Sequence, residues 1–238
     1  MNTQAKTVAI HQPDYIPWLG FFYKVAHCEQ FVYLDDAQYS NEAGHNVNSI
    51  KTPQGVFRLK IPVEQHLGDI INCVRTKDEL KWKEKHLKTL MSNYKKAPFF
   101  DMFFPRFEET LLRDYPNISE LNIAINQMIL RGFGIERPFV KTSEMNISSV
   151  REERIIEICT TLGATEYLSG NGARAYQVEE HFSAAGLQLT YLDYKPIEYQ
   201  QLWKDFIPCM SAIDYIFNNG FNWEFVENEV RKLNNGNR

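Results

Sequence analysis

The first forty residues alternate short apolar runs with one amphipathic segment. Residues 6–12 and 31–34 contain the apolar runs VAI and FVYL, which are typical of strands buried on both faces. Residues 19–27 between them have the length of a short helix and follow Pro17. This order predicts a βαβ unit, whose parallel strands bring their carboxyl ends to the same edge of a sheet.

The middle of the chain follows a different pattern. Residues 51–55 have turn chemistry, and residues 56–63 alternate between apolar and polar side chains, which predicts a hairpin or an edge strand. Apolar positions then recur at helical spacing in residues 82–94, 103–113 and 119–132. Ser119 is the predicted cap of the last of these helices. We therefore expect a helical insertion or subdomain over residues 80–132.

The pattern typical of a parallel sheet returns after Gly134. The predicted strands are residues 139–140, 166–168 and 187–192, and the predicted helices are residues 150–162, 173–185 and 205–218. Residues 1–238 are therefore predicted to form a single α/β domain. Its core is a Rossmann-like parallel sheet flanked by helices, with the helical insertion in the middle.

Composition and charge narrow the functional classes. The 238 residues are 44% hydrophobic with a net charge of -4, which is typical of a folded protein and disfavours nucleic acid as a partner. The Lys-rich residues 81–96 are either a solvated helix face or a surface for an anionic ligand. The apolar residues 16–22 are too few to span a membrane, and the first residues lack a secretory signal, so we expect a cytoplasmic location.

The four cysteines lie far apart in the sequence. They are Cys28, Cys73, Cys159 and Cys209, each in an apolar context and without a Cys-x-x-Cys pair. This spacing favours free, mostly buried thiols over a zinc site or a disulfide framework, and no metal site is predicted.

Polar and aromatic side chains crowd the loop after the first predicted strand. The segment HQPDYIPWLGFF supplies His11, Gln12, Tyr15 and Trp18 where a strand carboxyl end meets a helix amino end, the usual ligand position in open α/β sheets. Imidazole titrates near neutral pH, which makes His11 a candidate general base. The alternative is that the aromatic and proline residues of a tight loop only pack.

A second polar cluster follows the second predicted strand, on the same edge as His11. Asp35 and Asp36 are adjacent, so their side chains point to opposite faces, and alternation places Asp36 and Gln38 on one side. Asp36 joins His11 as a candidate catalytic residue that would hold an ammonium or hydroxyl group. A pair of turn-forming acids is the alternative.

Two further loops offer groups for a substrate. Asn48 and Lys51 would either order a substrate or only solvate a surface turn. The third predicted strand end continues into the turn of Ser169, Gly170, Asn171 and Gly172. The backbone amides of such a turn can hold a phosphate, and its glycines permit close approach. Tyr176 follows this turn as a candidate substrate contact.

At these motifs the chain resembles the WbqC-like protein family. The segments that carry the resemblance are HQPDYIPWLGFF, FVYLDDAQYS, NSIKTPQG, KAPFF and YLSGNGARAY, in order over about residues 7–220. Members of this family occur in bacterial surface-polysaccharide gene sets. The resemblance implies a transferase of O-antigen biosynthesis that adds a small aminoacyl group, such as glycyl, to an amino sugar.

A more remote similarity concerns the mechanism. The Gln12-Pro13 and Leu19-Gly20 pairs resemble the first nucleotide-binding signature of tryptophanyl-tRNA synthetases, and FVYLDDAQYS is similar to a passage of pantothenate synthetases. Both belong to the HUP superfamily, which binds ATP at the carboxyl edge of a parallel sheet. The similarity implies a HUP-like variant of the predicted fold and ATP as a candidate cofactor.

These observations predict a cleft for a nucleotide-sugar or amino-sugar substrate. In it, His11 would take a proton from the attacking amine, Trp18 would stack on a ring, and the turn at residues 169–172 would hold a phosphate. A non-catalytic binding or scaffolding subunit of glycan assembly is one alternative, and a nucleotidyl or nucleic-acid-modifying transferase is another. The sequence leaves the acyl donor, the acceptor sugar and the oligomeric state open.

Overall fold

The structure, a computed structural model, describes residues 6–236. Its strands are β1 (Thr7–His11), β2 (Gln30–Tyr33), β3 (Val47–Thr52), β4 (Gly55–Lys60), β5 (Val63–Glu64), β6 (Arg75–Thr76), β7 (Phe139–Lys141), β8 (Glu166–Ser169) and β9 (Gln188–Tyr191). Its α-helices are α1 (Leu19–Ala26), α2 (Trp82–Tyr94), α3 (Phe100–Leu112), α4 (Ile118–Gly132), α5 (Arg151–Thr161), α6 (Glu179–Ala184), α7 (Ala212–Asn219) and α8 (Trp223–Asn235).

Five of these strands form a central sheet in the order β7-β2-β1-β8-β9. All four pairings between neighbours are parallel, and β1 lies in the middle. The chain proceeds from β1 to β2 on one side and later adds β8 and β9 on the other, so the strand order reverses between β1 and β8. The predicted α/β class, with a parallel sheet flanked by helices, is confirmed.

Both faces of the sheet are buried, which explains the continuous apolar runs of its strands. Val8 and Ile10 of β1 belong to one hydrophobic cluster, together with Phe182 of α6. Ala9 between them belongs to a larger cluster that also contains Phe103 of α3. Because successive strand side chains point to opposite faces, a strand covered on both sides has to be apolar at every position.

The middle of the chain adds a hairpin and three helices to this core. Strands β3 and β4 pair antiparallel in a two-stranded sheet of their own, which confirms the predicted hairpin. Ile50 of β3 and Leu59 of β4 share the larger cluster with Phe31 of the central sheet and with side chains of α2, α3 and α4. The description of residues 80–132 as an insertion or subdomain stays a prediction.

The helix predicted over residues 173–185 is wrong in its first half. Asn171–Ala173 forms a 3₁₀ turn instead, and α6 begins only at Glu179. The amide of Ala173 donates to the carbonyl of Gly170 (3.0 Å), and the Ser169 hydroxyl donates to Oε1 of Gln177 (2.8 Å). These two bonds hold the segment as a compact turn rather than as a helix.

The carboxyl-terminal region also departs from the predictions. The helix predicted over residues 205–218 begins only at Ala212, where the Ser211 hydroxyl caps it, because left-handed backbone at Lys204 and Cys209 interrupts the preceding segment. Helix α8, whose Val226 is buried in the larger cluster, was not among the predicted helices.

Two smaller predictions can also be compared with the structure. Asn117, not Ser119, caps α4 by accepting a hydrogen bond from the amide of Glu120 (3.0 Å). The described cysteines are free, but two are buried and two are exposed: Cys28 and Cys159, and Cys73 and Cys209, respectively. Among residues 6–236, no helix combines the length and apolar character needed to cross a membrane.

Candidate active site

The carboxyl edge of the central sheet opens between β1 and β8. The two strands pair as far as Ala9 opposite Leu168 and then separate, leaving His11 at the end of β1 and Ser169 at the end of β8. This is where the strand order reverses. Ligands of open α/β sheets bind in the crevice at such a point. The topology therefore provides a binding cleft beside His11.

Two cavities occupy this opening, and we call them together the carboxyl-edge cleft. One has a volume of 260 Å³ and reaches Trp18, and the other has a volume of 400 Å³ and reaches Tyr176. The residues that line both cavities are His11, Lys24, Gly170 and Gly172. The cleft is large enough for a small-molecule ligand.

His11 presents a neutral imidazole to the cleft. Its Nδ1 lies 2.9 Å from the carbonyl oxygen of Gln12, which can only accept, so Nδ1 carries a proton and donates this bond. Desolvation lowers the pKa of His11 below its ordinary value, Asp14 opposes this lowering, and Lys24 adds to it. His11 can therefore accept a proton at Nε2 at neutral pH.

Asp14 lies behind His11, in the same loop. Its carboxylate is 3.9 Å from Nδ1 of His11 and 3.2 Å from Nδ1 of the fully buried His45. Gly44 makes this position available, because a Cβ there would lie 2.9 Å from the Asp14 carboxylate. A negative charge at this distance would stabilise the imidazolium that forms when His11 accepts a proton.

Lys24 of α1 is buried in the floor of the cleft. Only 5% of the residue is exposed, and Nζ donates to the carbonyl oxygen of Ile10 (2.7 Å). Ile10 comes directly after Ala9, the last residue of β1 that pairs with β8. Its carbonyl therefore lies beyond the paired part of the two strands and can accept a hydrogen bond from a side chain. Burial lowers the pKa of Lys24 to about 8. The ammonium form still predominates at pH 7.

Trp18 forms an aromatic wall of the smaller cavity. Its side chain meets Tyr194 edge to face, with ring centroids 5.1 Å apart. Gly20 lies directly beneath the indole, because a Cβ at this position would come within 2.6 Å of the ring. The Ser211 hydroxyl donates to the carbonyl of Ile16 (2.6 Å) and so fixes the loop that carries Trp18. The predicted stacking residue therefore lines the cleft on a rigid support.

The turn after β8 forms the opposite wall. A Cβ at Gly170 or Gly172 would meet no atom within 4 Å, so the backbone there faces open space. Asn171 lines the smaller cavity, while the Ser169 hydroxyl is buried against Gln177. Tyr176 is 74% exposed and lies between the larger cavity and a further cavity of 610 Å³.

The two aspartates after β2 are engaged elsewhere. Asp35 is buried and accepts from the Ser143 amide (2.9 Å) and hydroxyl (2.5 Å). Asp36 pairs with Nη2 of Arg154 (2.6 Å) and accepts from the Thr142 hydroxyl (2.5 Å). The linings of the two cavities include neither aspartate. The catalytic assignment of Asp36 stays a prediction, and the structure gives this side chain an ion-pairing role.

Four other predicted substrate contacts lie outside the lining of the cleft. Tyr15 is fully buried and its hydroxyl is 3.0 Å from Nδ1 of His86. Asn48 donates its amide to the carbonyl of Tyr15 (3.1 Å). Buried Lys51 donates to the carbonyl of Asp205 (2.5 Å), and Gln38 is exposed and forms an isolated β-bridge with Ile70. Tyr15, Asn48 and Lys51 thus form hydrogen bonds that stabilise the surrounding loops. The contact of these residues with substrate stays a prediction.

Two observations limit the alternatives. A cavity of 490 Å³ between α3 and α4 is larger than either part of the cleft, but it lies away from the reversal of strand order, and Arg113 at its rim is paired with Glu109. The described part of the chain holds no group of three His, Cys, Asp or Glu side chains that could bind a metal ion. Geometry and topology together therefore favour the carboxyl-edge cleft.

Sequence reasoning did not select Lys24 or Asp14. The one available signal for Lys24 was a lysine inside the otherwise apolar helix LGFFYKVA. The signal for Asp14 was its position three residues after His11 in a crowded loop. Neither signal is specific, because the contacts that matter come from other strands and loops.

Comparisons with known proteins show the family of this chain. The sequence matches the WbqC-like protein family over residues 12–224, a range that contains the residues lining the cleft except Ile10 and His11. It is 34% identical over 222 residues to the uncharacterized protein Rv1507c of Mycobacterium tuberculosis, covering 90% of this chain and 94% of that protein. No solved structure matches the chain.

Proposed function

The chain belongs to the WbqC-like protein family, and on that premise we propose that it is a transferase of bacterial surface-polysaccharide (O-antigen) biosynthesis. It adds a small aminoacyl group, glycyl in the simplest case, to the amino group of a sugar. The proposal includes a nucleotide-linked or free amino sugar as acceptor and a cytoplasmic location.

The observation that carries the proposal is the state of His11. The bond from Nδ1 to the Gln12 carbonyl leaves Nε2 with a lone pair, and no partner within residues 6–236 binds Nε2. A neutral imidazole at a strand end beside a cleft is suited to remove a proton from an attacking amine. Asp14 at 3.9 Å would then stabilise the charged ring.

The reaction is an acyl transfer. The sugar nitrogen attacks the carbonyl carbon of an activated aminoacyl donor, the new C–N bond forms, and the bond to the leaving group breaks. The proton released by the nitrogen goes to Nε2 of His11. Trp18 and Tyr176, at the two ends of the cleft, would pack against rings of the substrates.

ATP stays a candidate cofactor. The open backbone at Gly170 and Gly172 leaves room for phosphate groups, and Trp18 would face a base. Bound there, ATP would activate the carboxyl group of glycine as an acyl adenylate with release of pyrophosphate, and AMP would then be the leaving group of the transfer.

The test is an incubation of the purified protein with glycine, ATP and a nucleotide amino sugar. We expect mass spectrometry to show an acceptor heavier by one glycyl group. His11→Gln should lower the rate at least about 100-fold, the usual contribution of a positioned base. Omitting ATP tests the cofactor separately.

His27→Gln is the matched control. Its Nδ1 likewise bonds a backbone carbonyl, that of Tyr23 (2.8 Å), but His27 lines neither cavity of the cleft. It should keep wild-type activity. Equal activity of His11→Gln and wild type would exclude His11 as the base. Ligand-induced thermal stabilisation without any transfer would instead favour a binding subunit.

A further inference from the structure

Lys24 differs from the other buried lysines of the described chain in its partners. Lys83 bonds the Asp78 carboxylate (3.0 Å) and the carbonyl of Arg113 (2.9 Å). Lys51 donates to two carbonyls, those of Lys204 and Asp205. Lys24 donates to the Ile10 carbonyl alone, and within residues 6–236 no carboxylate lies within ion-pair distance of its Nζ.

An ammonium group without a counter-ion is costly to bury. Proteins normally compensate such a charge with a paired anion and further hydrogen bonds. Nζ carries three hydrogens, so two remain for other acceptors. An anion bound in the cleft would supply the missing negative charge and accept these hydrogens.

The surroundings of Lys24 show where such an anion would bind. Lys24 lines both cavities of the cleft, and so do Gly170 and Gly172. The open space at the two glycines lets the oxygens of a ligand approach the backbone. His11 also lines both cavities, and because its imidazole is neutral it neither supplies negative charge nor strongly repels an anion.

We propose that Lys24 is the anion receptor of the carboxyl-edge cleft and that it binds a phosphate group of a nucleotide-linked substrate, together with the turn at Gly170–Gly172. A phosphate is favoured over the carboxylate of a free amino acid because the two cavities extend on both sides of Lys24, one toward Trp18 and one toward Tyr176. This inference rests on the proposed function, since it names the chemical class of its substrate.

The test is a calorimetric titration with UDP and, separately, with inorganic phosphate. Wild type should bind both at millimolar concentration or below. Lys24→Met should weaken binding about 10-fold to 100-fold, the contribution of a charge-assisted hydrogen bond. Lys83→Met, a change at another buried lysine that lines neither cavity, should bind like wild type.

A pH series on the wild type gives a second measurement that needs no variant. Affinity for inorganic phosphate should fall as the pH rises through about 8, because Lys24 then loses its charge. The titratable groups facing Lys24 do not interfere, since burial raises the pKa of Cys28 and Cys159 to about 12 and that of His11 is lowered. Phosphate itself only gains negative charge as the pH rises, which would strengthen binding, so a fall in affinity reports the loss of the charge on Lys24.

Equal affinity of Lys24→Met and wild type, absence of binding of both probes, or a flat pH series would overturn the inference. A titration with glycine completes the set of probes. Binding of glycine, but of neither UDP nor inorganic phosphate, would overturn the inference in favour of a carboxylate ligand. The outcomes are separable from those of the proposed function. Phosphate binding that depends on Lys24 without aminoacyl transfer refutes only the function, and transfer without such binding refutes only the receptor.

Discussion

The carboxyl edge of the sheet has two halves that look alike in the sequence and differ in the structure. At the β2 end, Asp35 and Asp36 are closed off by Ser143, Thr142 and Arg154. At the β1 end, by contrast, His11 and Lys24 form hydrogen bonds only with backbone carbonyls within residues 6–236. Polar residues at a strand end therefore indicate a functional site only where the protein leaves part of their hydrogen-bonding capacity free.

The reason for the difference lies in the topology. Strand β7 lies beside β2 and is followed directly by Thr142 and Ser143, so donors arrive at the aspartates from the neighbouring strand. Strands β1 and β8 separate where the strand order reverses, and no strand of the described residues fills that space. We call the end of β2 the closed half of the sheet edge and the end of β1 the open half. The closed half should contribute to stability, and the open half to function.

The largest effect is expected in the closed half, at Asp35. Asp35→Ala removes the buried acceptor of the Ser143 amide, the Ser143 hydroxyl and the Asn72 side-chain amide, which should lower the free energy of unfolding by about 3–4 kcal/mol. Urea unfolding measures this. Asp193→Ala, at an exposed aspartate after β9, is the control and should change stability by less than about 0.5 kcal/mol. A cost at Asp35 as small as at Asp193 would contradict the comparison.

In the open half, removing a charge should stabilise the protein. Burial lowers the pKa of Lys24 from 10.5 to about 8, so between these pH values the unfolded chain binds a proton that the folded chain has lost. The contribution of this group therefore makes stability rise with pH across that window. Lys24→Met should gain about 2 kcal/mol at pH 7, after subtraction of the lost bond to Ile10.

The gain at Lys24 should disappear as the pH rises from about 8 toward 10.5. The measurement is the difference in urea-unfolding free energy between Lys24→Met and wild type as a function of pH, in which other titrating groups cancel. A difference that does not change with pH would show that Lys24 does not lose its charge in this range. A loss of stability at pH 7 would show that the charge is compensated inside the protein.

The smallest effect is expected for the ion pair of the closed half. The side chains of Asp36 and Arg154 are 22% and 20% exposed, so their coupling should lie between that of surface and buried pairs, at about 1–2 kcal/mol. A double-mutant cycle with Asp36→Asn and Arg154→Met measures it. If Asp36 has only this role, both variants keep transferase activity per folded molecule. An activity loss confined to Asp36→Asn would restore Asp36 as a catalytic residue.

Patterning predicted the central elements well, because local rules govern them. The helix predicted over residues 82–94 is found as Trp82–Tyr94, and the strand predicted over residues 6–12 is found as Thr7–His11. The predictions failed where a tertiary contact overrides propensity, as in the turn held by the bond from Ser169 to Gln177.

The sequence by itself determined the parallel α/β core and the place of His11 at a strand end, since both follow from the alternation of apolar runs and helices. Only the tertiary structure decided which polar groups are paired. The partners of Asp36 come from 106 and 118 residues away, and Lys24 reaches Ile10 only because α1 folds back under β1. Hydrogen bonds between residues so far apart in the sequence leave no periodic pattern in it. Only the folded structure therefore shows which half of the sheet edge is left open.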